Sequence, residues 1–209
     1  MGRGPATKRG FAMKPDRLNA LTDGVVAIVL TIMVLELKIP AEPTLAAVLA
    51  VLPLLAAYLL AFVNVAIYWN NHHHMMQSAR VVTGAVLWAN HALLFWLTLI
   101  PLVIRWIDEA GITPWPVASF GLVLIFAAIS YQLLERALIR AEGDDSAMRR
   151  ALGGGTKEWI SSALYLAAVP SAFVSPYISI AMYVAVSITW LIPDRRFERR
   201  LHASDADPT

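Results

Sequence analysis

Polar side chains that could do chemistry are few in this sequence, and the most informative of them lie within long apolar runs. The first run contains Asp23 and Glu36, the second ends in three consecutive histidines, His72–His74, and the third contains Asn90. An ionisable group inside an apolar segment is costly to desolvate, so it marks a candidate functional position. The chain has no cysteine, which excludes disulfides, zinc–thiolate sites, iron–sulfur clusters and a cysteine nucleophile.

The three histidines have the chemistry of metal ligands but not the spacing. Consecutive residues on a helix point about 100° apart, and neither a His pair at i, i+4 nor a His-Glu-x-x-His motif accompanies them. Packing and hydrogen bonding are the better interpretation, and a pH-sensing role stays open because histidine titrates near neutral pH. Without a nucleophile, a metal set or paired midplane carboxylates, we predict that the chain is not an enzyme and holds no metal or cofactor.

The elements that must position these residues are transmembrane helices. Of 209 residues, 58% are apolar and only 15% are charged, whereas charged residues make up about a quarter of ordinary soluble domains. Hydropathy predicts an all-α integral membrane protein with six spans, at about 18–37, 45–72, 81–107, 116–138, 159–174 and 176–193. The last two are divided at Ser175–Pro176. One long kinked helix is the alternative there, but roughly 34 residues is more than one crossing needs.

Lysine and arginine are distributed very unevenly about these spans. In a six-span arrangement, all of the 17 basic residues except Lys38 and Arg105 fall on one side of the membrane. The positive-inside rule then predicts that both termini are cytoplasmic. The chain is thus predicted to consist of a basic amino-terminal segment (1–17), a transmembrane channel domain (18–193) and a cytoplasmic tail (194–209). The basic residues form no patch with interleaved aromatics, so nucleic acid is not an expected partner.

Three short motifs resemble those of a known family. The run Arg17-Leu-Asn-Ala-Leu-Thr22-Asp23-Gly24 is similar to the Arg-x-x-x-Phe-Ser-Asp-Gly signature that opens the first helix of the transmembrane protein 175 family, potassium channels of endolysosomal and prokaryotic membranes. Tyr68-Trp69-Asn-Asn-His72-His73 resembles that family's Tyr-Trp-x-x-His-His, and Leu87-Trp88-Ala-Asn90 follows in the third span. Leu21 and Thr22 replace the usual Phe-Ser, which keeps an apolar group and a hydroxyl.

The resemblance implies a pore lined by the first helix of several subunits. The residues that share one stripe at i, i+3, i+4 and i+7 are Ile28, Thr31, Ile32 and Leu35. Periodicity alone does not decide whether this stripe lines a pore, faces lipid or packs against another helix. By resemblance, Ile28, Thr31 and Leu35 face a central pore and Ile28 forms its apolar constriction. The sequence has no Thr-Val-Gly-Tyr-Gly filter, so the implied preference for K⁺ over Na⁺ is modest and rests on the cost of dehydration, with Thr31 hydroxyls as replacement ligands.

The resemblance also implies a polar network that braces the pore helix. Its members are Arg17, Asp23, Trp69, His72, His73 and Asn90. Arg17 lies six positions before Asp23 on another helix face, so we expect Asp23 to receive hydrogen bonds from the second and third helices, with a solvated Asp23 as the alternative. Glu36 adjoins the end of the stripe, where it either concentrates cations at a pore mouth or only faces water.

With this resemblance, the features predict a potassium-selective cation channel in a bacterial inner membrane, and the resemblance to six-span prokaryotic family members implies that it is a homotetramer. Its expected partners are the lipid bilayer, K⁺ and further copies of the chain. A proton-permeable channel or a cation/proton secondary transporter is the alternative function. A transporter would predict internal repeats or broken helices with midplane charges, and neither is visible in the sequence.

Overall fold

The computed structural model describes residues 15–38, 40–77, 79–142 and 156–191. Within these ranges the chain forms α-helices, which are α1 (Pro15–Leu35), α2 (Leu45–Gln77), α3 (Gly84–Thr98), α4 (Ile100–Ala110), α5 (Pro114–Glu142), α6 (Thr156–Ser171) and α7 (Pro176–Leu191). The predicted tail at 194–209 and most of the amino-terminal segment at 1–17 lie outside the described residues. The prediction of an all-helical fold is confirmed.

Four helical segments of the described chain are long and apolar enough to cross a bilayer. They are α1, α2, α5 and the 27-residue stretch Gly84–Ala110, which comprises α3 and α4. The boundary between α3 and α4 falls at Leu99, just before Pro101. Proline lacks a backbone N–H and its ring clashes with the preceding turn, which explains why one helix ends and the next begins at this point of the span.

The fifth and sixth predicted spans are two separate helices of 16 residues each, α6 and α7, with a turn before Pro176. The alternative of one long kinked helix does not occur. A straight crossing needs about 20 residues, so six complete crossings stay a prediction.

α5 lies at the centre of the bundle and packs against α3, α4, α6 and α7. Gly121 makes one of these contacts possible, because a Cβ at this position would overlap the Tyr183 hydroxyl of α7 and crowd Val169 of α6. Tyr183 is fully buried there and donates a hydrogen bond to the Val117 carbonyl at 3.2 Å. The small residue thus joins three helices at one point.

α1 packs on the bundle through one face only. Its buried residues recur every three or four positions and contact α2, α3 and α4; they are Leu18, Thr22, Val26, Val29 and Met33. This spacing is that of a single helical stripe. Val25 and Leu30 flank this stripe and pack partly against the core, and most of the remaining α1 surface is exposed.

Candidate functional site

The stripe predicted from the first helix is exposed on the surface of the protomer. Ile28 is 58% and Leu35 is 80% exposed. Ile32 is exposed as well, and Thr31 lies on the same face. Because this exposed face is distinct from the one that anchors α1, it can meet lipid or other copies of the chain without disturbing the fold of the protomer.

Two further residues extend the stripe toward the amino terminus of α1. Leu21 is exposed, and it precedes Ile28 by two turns. Gly24 precedes Ile28 by one turn, and a Cβ there would meet nothing within 4 Å. Sequence reasoning assigned neither residue to the stripe, although the spacings i−7 and i−4 from Ile28 place both on its face.

Thr31 directs its hydroxyl proton at its own helix. Its Oγ1 lies 3.0 Å from the Ala27 carbonyl oxygen and 2.9 Å from that of Ile28. A hydroxyl that donates to the preceding turn keeps its lone pairs free on the exposed side. The oxygen can therefore accept a hydrogen bond from water or contact a cation.

A buried chain of hydrogen bonds joins α1 to α2 and α3. The Asn90 amide nitrogen donates to Thr22 Oγ1 at 3.0 Å, and the Asn90 carbonyl oxygen lies 2.8 Å from His72 Nε2. Since that oxygen can only accept, His72 carries its proton on Nε2. Thr22 in turn donates to the Leu18 carbonyl at 3.0 Å. The side chains of Thr22, His72 and Asn90 are all buried.

A second, more exposed set of contacts holds Asp23. Trp69 Nε1 donates to Asp23 Oδ1 at 2.8 Å, and both residues are exposed. The Trp69 ring stacks on His73, with ring centroids 5.5 Å apart. The ring nitrogen Nε2 of His73 then lies 2.9 Å from Gln77 Nε2.

The structure thus divides the predicted network in two. Of the expected donors, only Trp69 reaches Asp23 in the described chain; Asn90 instead donates to Thr22, and His72 bonds to Asn90. Thr22 and Asp23 are neighbours on a helix and point about 100° apart, so they meet different surfaces of α2 and α3. Arg17 is exposed, and within the residues that the structure describes no ion pair joins it to Asp23.

Ion pairs cluster near the carboxyl end of α1. Lys38 Nζ lies 2.6 Å from Asp108 Oδ2, and this carboxylate raises the pKa of the Lys38 ammonium. Arg105 Nε lies 3.0 Å from Glu109 Oε1 and 3.9 Å from Glu36 Oε2. Glu36, the candidate for the pore mouth, is therefore next to a guanidinium that offsets part of its charge.

No metal centre forms among the described ranges. Within them, no group of three or more His, Cys, Asp and Glu side chains is placed to hold a metal ion. The His72 and His73 rings instead take part in the two separate sets of contacts given above.

Comparison with known proteins gives consistent matches. Residues 17–101 match the family described as endosomal/lysosomal potassium channel TMEM175. A potassium channel of Chryseobacterium sp. (strain P1-3) is 46% identical over 189 residues, which are 90% of this chain and 98% of that protein. A potassium channel of Chamaesiphon minutus is 28% identical over 184 residues, or 82% of this chain and 91% of the relative.

A solved structure has a similar fold. The crystal structure of a lysosomal potassium-selective channel TMEM175 homolog from Chamaesiphon minutus superposes with a TM-score of 0.73 at 22% identity. The match covers 85% of this chain and 96% of that one. The matched proteins are ion channels and not enzymes, in agreement with the prediction that this chain is not an enzyme.

Proposed function

Because the chain belongs to the TMEM175 family of potassium channels, we propose that it forms a homotetramer in which four α1 helices line one central, K⁺-preferring pore. The proposed location is the inner membrane of a bacterium, with six crossings and both termini in the cytoplasm. The permeant ion is K⁺, and no cofactor takes part.

The exposed apolar stripe on α1 is the observation that carries this proposal. One helix face cannot enclose a water-filled path, so several copies must surround an axis. Each chain has one copy of the pore-helix motif, and four copies give a closed ring. The buried face of α1, which includes Leu18 and Met33, keeps the helix on its own protomer while the stripe faces the axis.

Ile28 forms the proposed constriction. Four branched aliphatic side chains around the axis offer an ion no ligand, so the ring dewets when it is closed. A passing ion must shed part of its water, and Na⁺ holds water more tightly than K⁺ does. Thr31 lies one turn further along the stripe and its oxygen lone pairs replace some of the lost water. Selectivity of this kind is modest, because nothing in the ring fits K⁺ specifically.

The stripe also bears on the alternative of proton permeation or cation/proton exchange. Between Leu21 and Leu35 the only ionisable residue of α1 is Asp23, and it lies on another face of the helix, where it accepts a hydrogen bond from Trp69. A proton relay or an exchanger uses titratable groups along the transport path. Their absence from this part of the stripe favours a passive cation pore.

Substitution of the proposed constriction tests the proposal. Ile28→Asn wets the ring, so we expect a several-fold larger current in planar bilayers and a K⁺/Na⁺ permeability ratio closer to one. Val34→Asn is the matched control, because Val34 is a similarly exposed aliphatic residue of α1 on a different face. Its selectivity should equal that of the parent protein.

The oligomeric state of the parent protein and of both variants has to be measured as well. Mass determination in detergent should give a tetramer for the parent and both variants. Unchanged conductance and selectivity in tetrameric Ile28→Asn protein would contradict the assignment of Ile28, and a fully active monomer would contradict the shared pore.

A further inference from the structure

Arg17 lies on the same helix face as the exposed stripe of α1. It precedes Ile28 by eleven residues, which at about 100° per residue is three turns and leaves a difference in direction of only about 20°. Leu21 and Gly24 lie between the two on this face. The extended stripe therefore begins with a guanidinium in the first turn of α1, which starts at Pro15.

The Arg17 side chain does not take part in the contacts that hold α1. It is exposed, and it has no hydrogen bond, ion pair or ring contact with any residue that the structure describes. Asp23 accepts a hydrogen bond from Trp69 and lies about 120° away from Arg17 around the helix. Asp16 is the neighbouring acidic residue of the first turn, and it points about 100° away. The charge of Arg17 is thus directed along the stripe and away from both carboxylates.

The position of this arginine in α1 is electrostatically unfavourable. The unpaired N–H groups of the first turn carry a partial positive charge, so a basic side chain is stabilised at the other end of a helix and not at this one. The fourteen residues before α1 contain four Lys or Arg and no Asp or Glu. The fixed charge at the amino end of the stripe is therefore positive, whereas the stripe from Leu21 to Leu35 is uncharged.

In the tetramer proposed above, on which this inference rests, four Arg17 side chains surround the cytoplasmic end of the pore. Charges of one sign at a narrow entrance change the local concentration of the ions that enter there. We propose that Arg17 forms a cationic ring at the cytoplasmic mouth, which lowers the local K⁺ concentration and limits the outflow of K⁺ from the cell. The channel then passes inward current more easily than outward current.

The cationic ring acts on the entry of ions and not on the choice between them. Eleven residues of helix separate Arg17 from Ile28 by about 16 Å along the axis, at about 1.5 Å per residue. The Debye length is only about 8 Å at physiological ionic strength. The K⁺/Na⁺ permeability ratio, which the proposed constriction at Ile28 determines, should therefore not depend on the charge at Arg17.

Single-channel currents in inside-out patches from cells test the proposal, because the cytoplasmic face of such a patch is known. In symmetric solutions of about 0.05 M K⁺, the inward current of the parent should exceed the outward current at equal voltage by about twofold. At about 1 M K⁺ the two currents should be equal, since the Debye length is then about 3 Å. Arg17→Gln should increase the outward current and make the two currents equal at both concentrations.

Two matched variants separate the ring from other effects of charge. Arg17→Lys keeps the positive charge and should retain the ratio of inward to outward current of the parent. Arg80→Gln removes another exposed arginine on the proposed cytoplasmic side, between α2 and α3, and should also leave the ratio unchanged. A loss of rectification in Arg17→Lys would assign the effect to shape, and an equal loss in Arg80→Gln would assign it to the whole surface. Either result overturns the ring.

Further outcomes distinguish this inference from the proposed function. Equal inward and outward currents in the parent at low salt, a larger outward current, or equal ratios in the parent and Arg17→Gln overturn the ring. If Ile28→Asn still alters selectivity in tetrameric protein, the proposed pore stands without it. If Ile28→Asn has no effect, the proposed function fails and the ring fails with it. Should Arg17→Gln not assemble, the salt dependence of the parent's current ratio decides, and a ratio that is the same at both concentrations overturns the ring.

Discussion

The two ends of α1 are fastened to the bundle by different kinds of interaction. Near its amino end, Thr22 bonds to Asn90 in a buried and uncharged chain that continues to His72. Just beyond its carboxyl end, the polar contacts to α4 are the ion pairs Lys38–Asp108 and Glu36–Arg105, and the Arg105 side chain is 59% exposed. Buried hydrogen bonds have fixed geometry and are little affected by salt, whereas exposed ion pairs are screened and contribute little.

This difference assigns distinct roles to the two ends. Ile28 lies six residues after Thr22, so the buried chain sets the position of the proposed constriction. The ion pairs beyond Leu35 add charge near the proposed pore mouth but constrain the helix weakly. Breaking the first end should change stability, and breaking the second should change only the local potential.

The largest effect is expected from Asn90→Ala. The substitution leaves the buried side chains of Thr22 and His72 without their common partner, which should lower the free energy of unfolding by about 1–3 kcal/mol. Thermal denaturation in detergent at low and high salt measures this, and the loss should be the same at both. Asn70→Ala is the control, because Asn70 is an exposed asparagine of α2. Equal effects of the two substitutions would show that the buried chain does not anchor α1.

Much of the fold could be predicted from hydropathy, because apolar length is what a bilayer demands. The first span was predicted at 18–37 and α1 runs from Pro15 to Leu35; proline is favourable in the first turn, where its missing N–H has no partner to lose. The second helix continues to Gln77, beyond His72, at which the predicted second span ends, because polar residues lower the hydropathy without ending a helix.

The site was less accessible to sequence reasoning. The order of the three motifs predicted that Trp69, His72 and Asn90 lie near α1. It did not predict that Asn90 bonds to Thr22 and Trp69 to Asp23. That choice depends on helix rotation, which differs by about 100° between adjacent residues.

An intermediate effect is expected from Trp69→Phe. The ring remains, so stacking on His73 is retained, and only the hydrogen bond to Asp23 is lost. Hydrogen bonds between membrane helices contribute about 0.6 kcal/mol on average, and we expect a loss of that order in thermal denaturation. Trp88→Phe, at an exposed tryptophan of α3, should cost less. A larger loss for Trp69→Phe than for Asn90→Ala would reverse the ranking of the two sets of contacts.

The smallest effects are expected at the ion-paired end. Glu36 is 28% exposed in its side chain and lies 3.9 Å from Arg105, so its charge is partly offset already, and Glu36→Gln should hardly change the single-channel conductance. Arg105→Gln should have the opposite and clearer result. The substitution removes the positive charge beside Glu36 and Glu109, so the local potential becomes more negative and the local cation concentration rises. The conductance should therefore increase at low ionic strength. The increase should vanish at about 1 M salt, where the Debye length is only about 3 Å. An equal increase at both salt concentrations would mean that Arg105 acts on the position of α1 rather than on the potential, and the two ends of the helix would then be fastened alike.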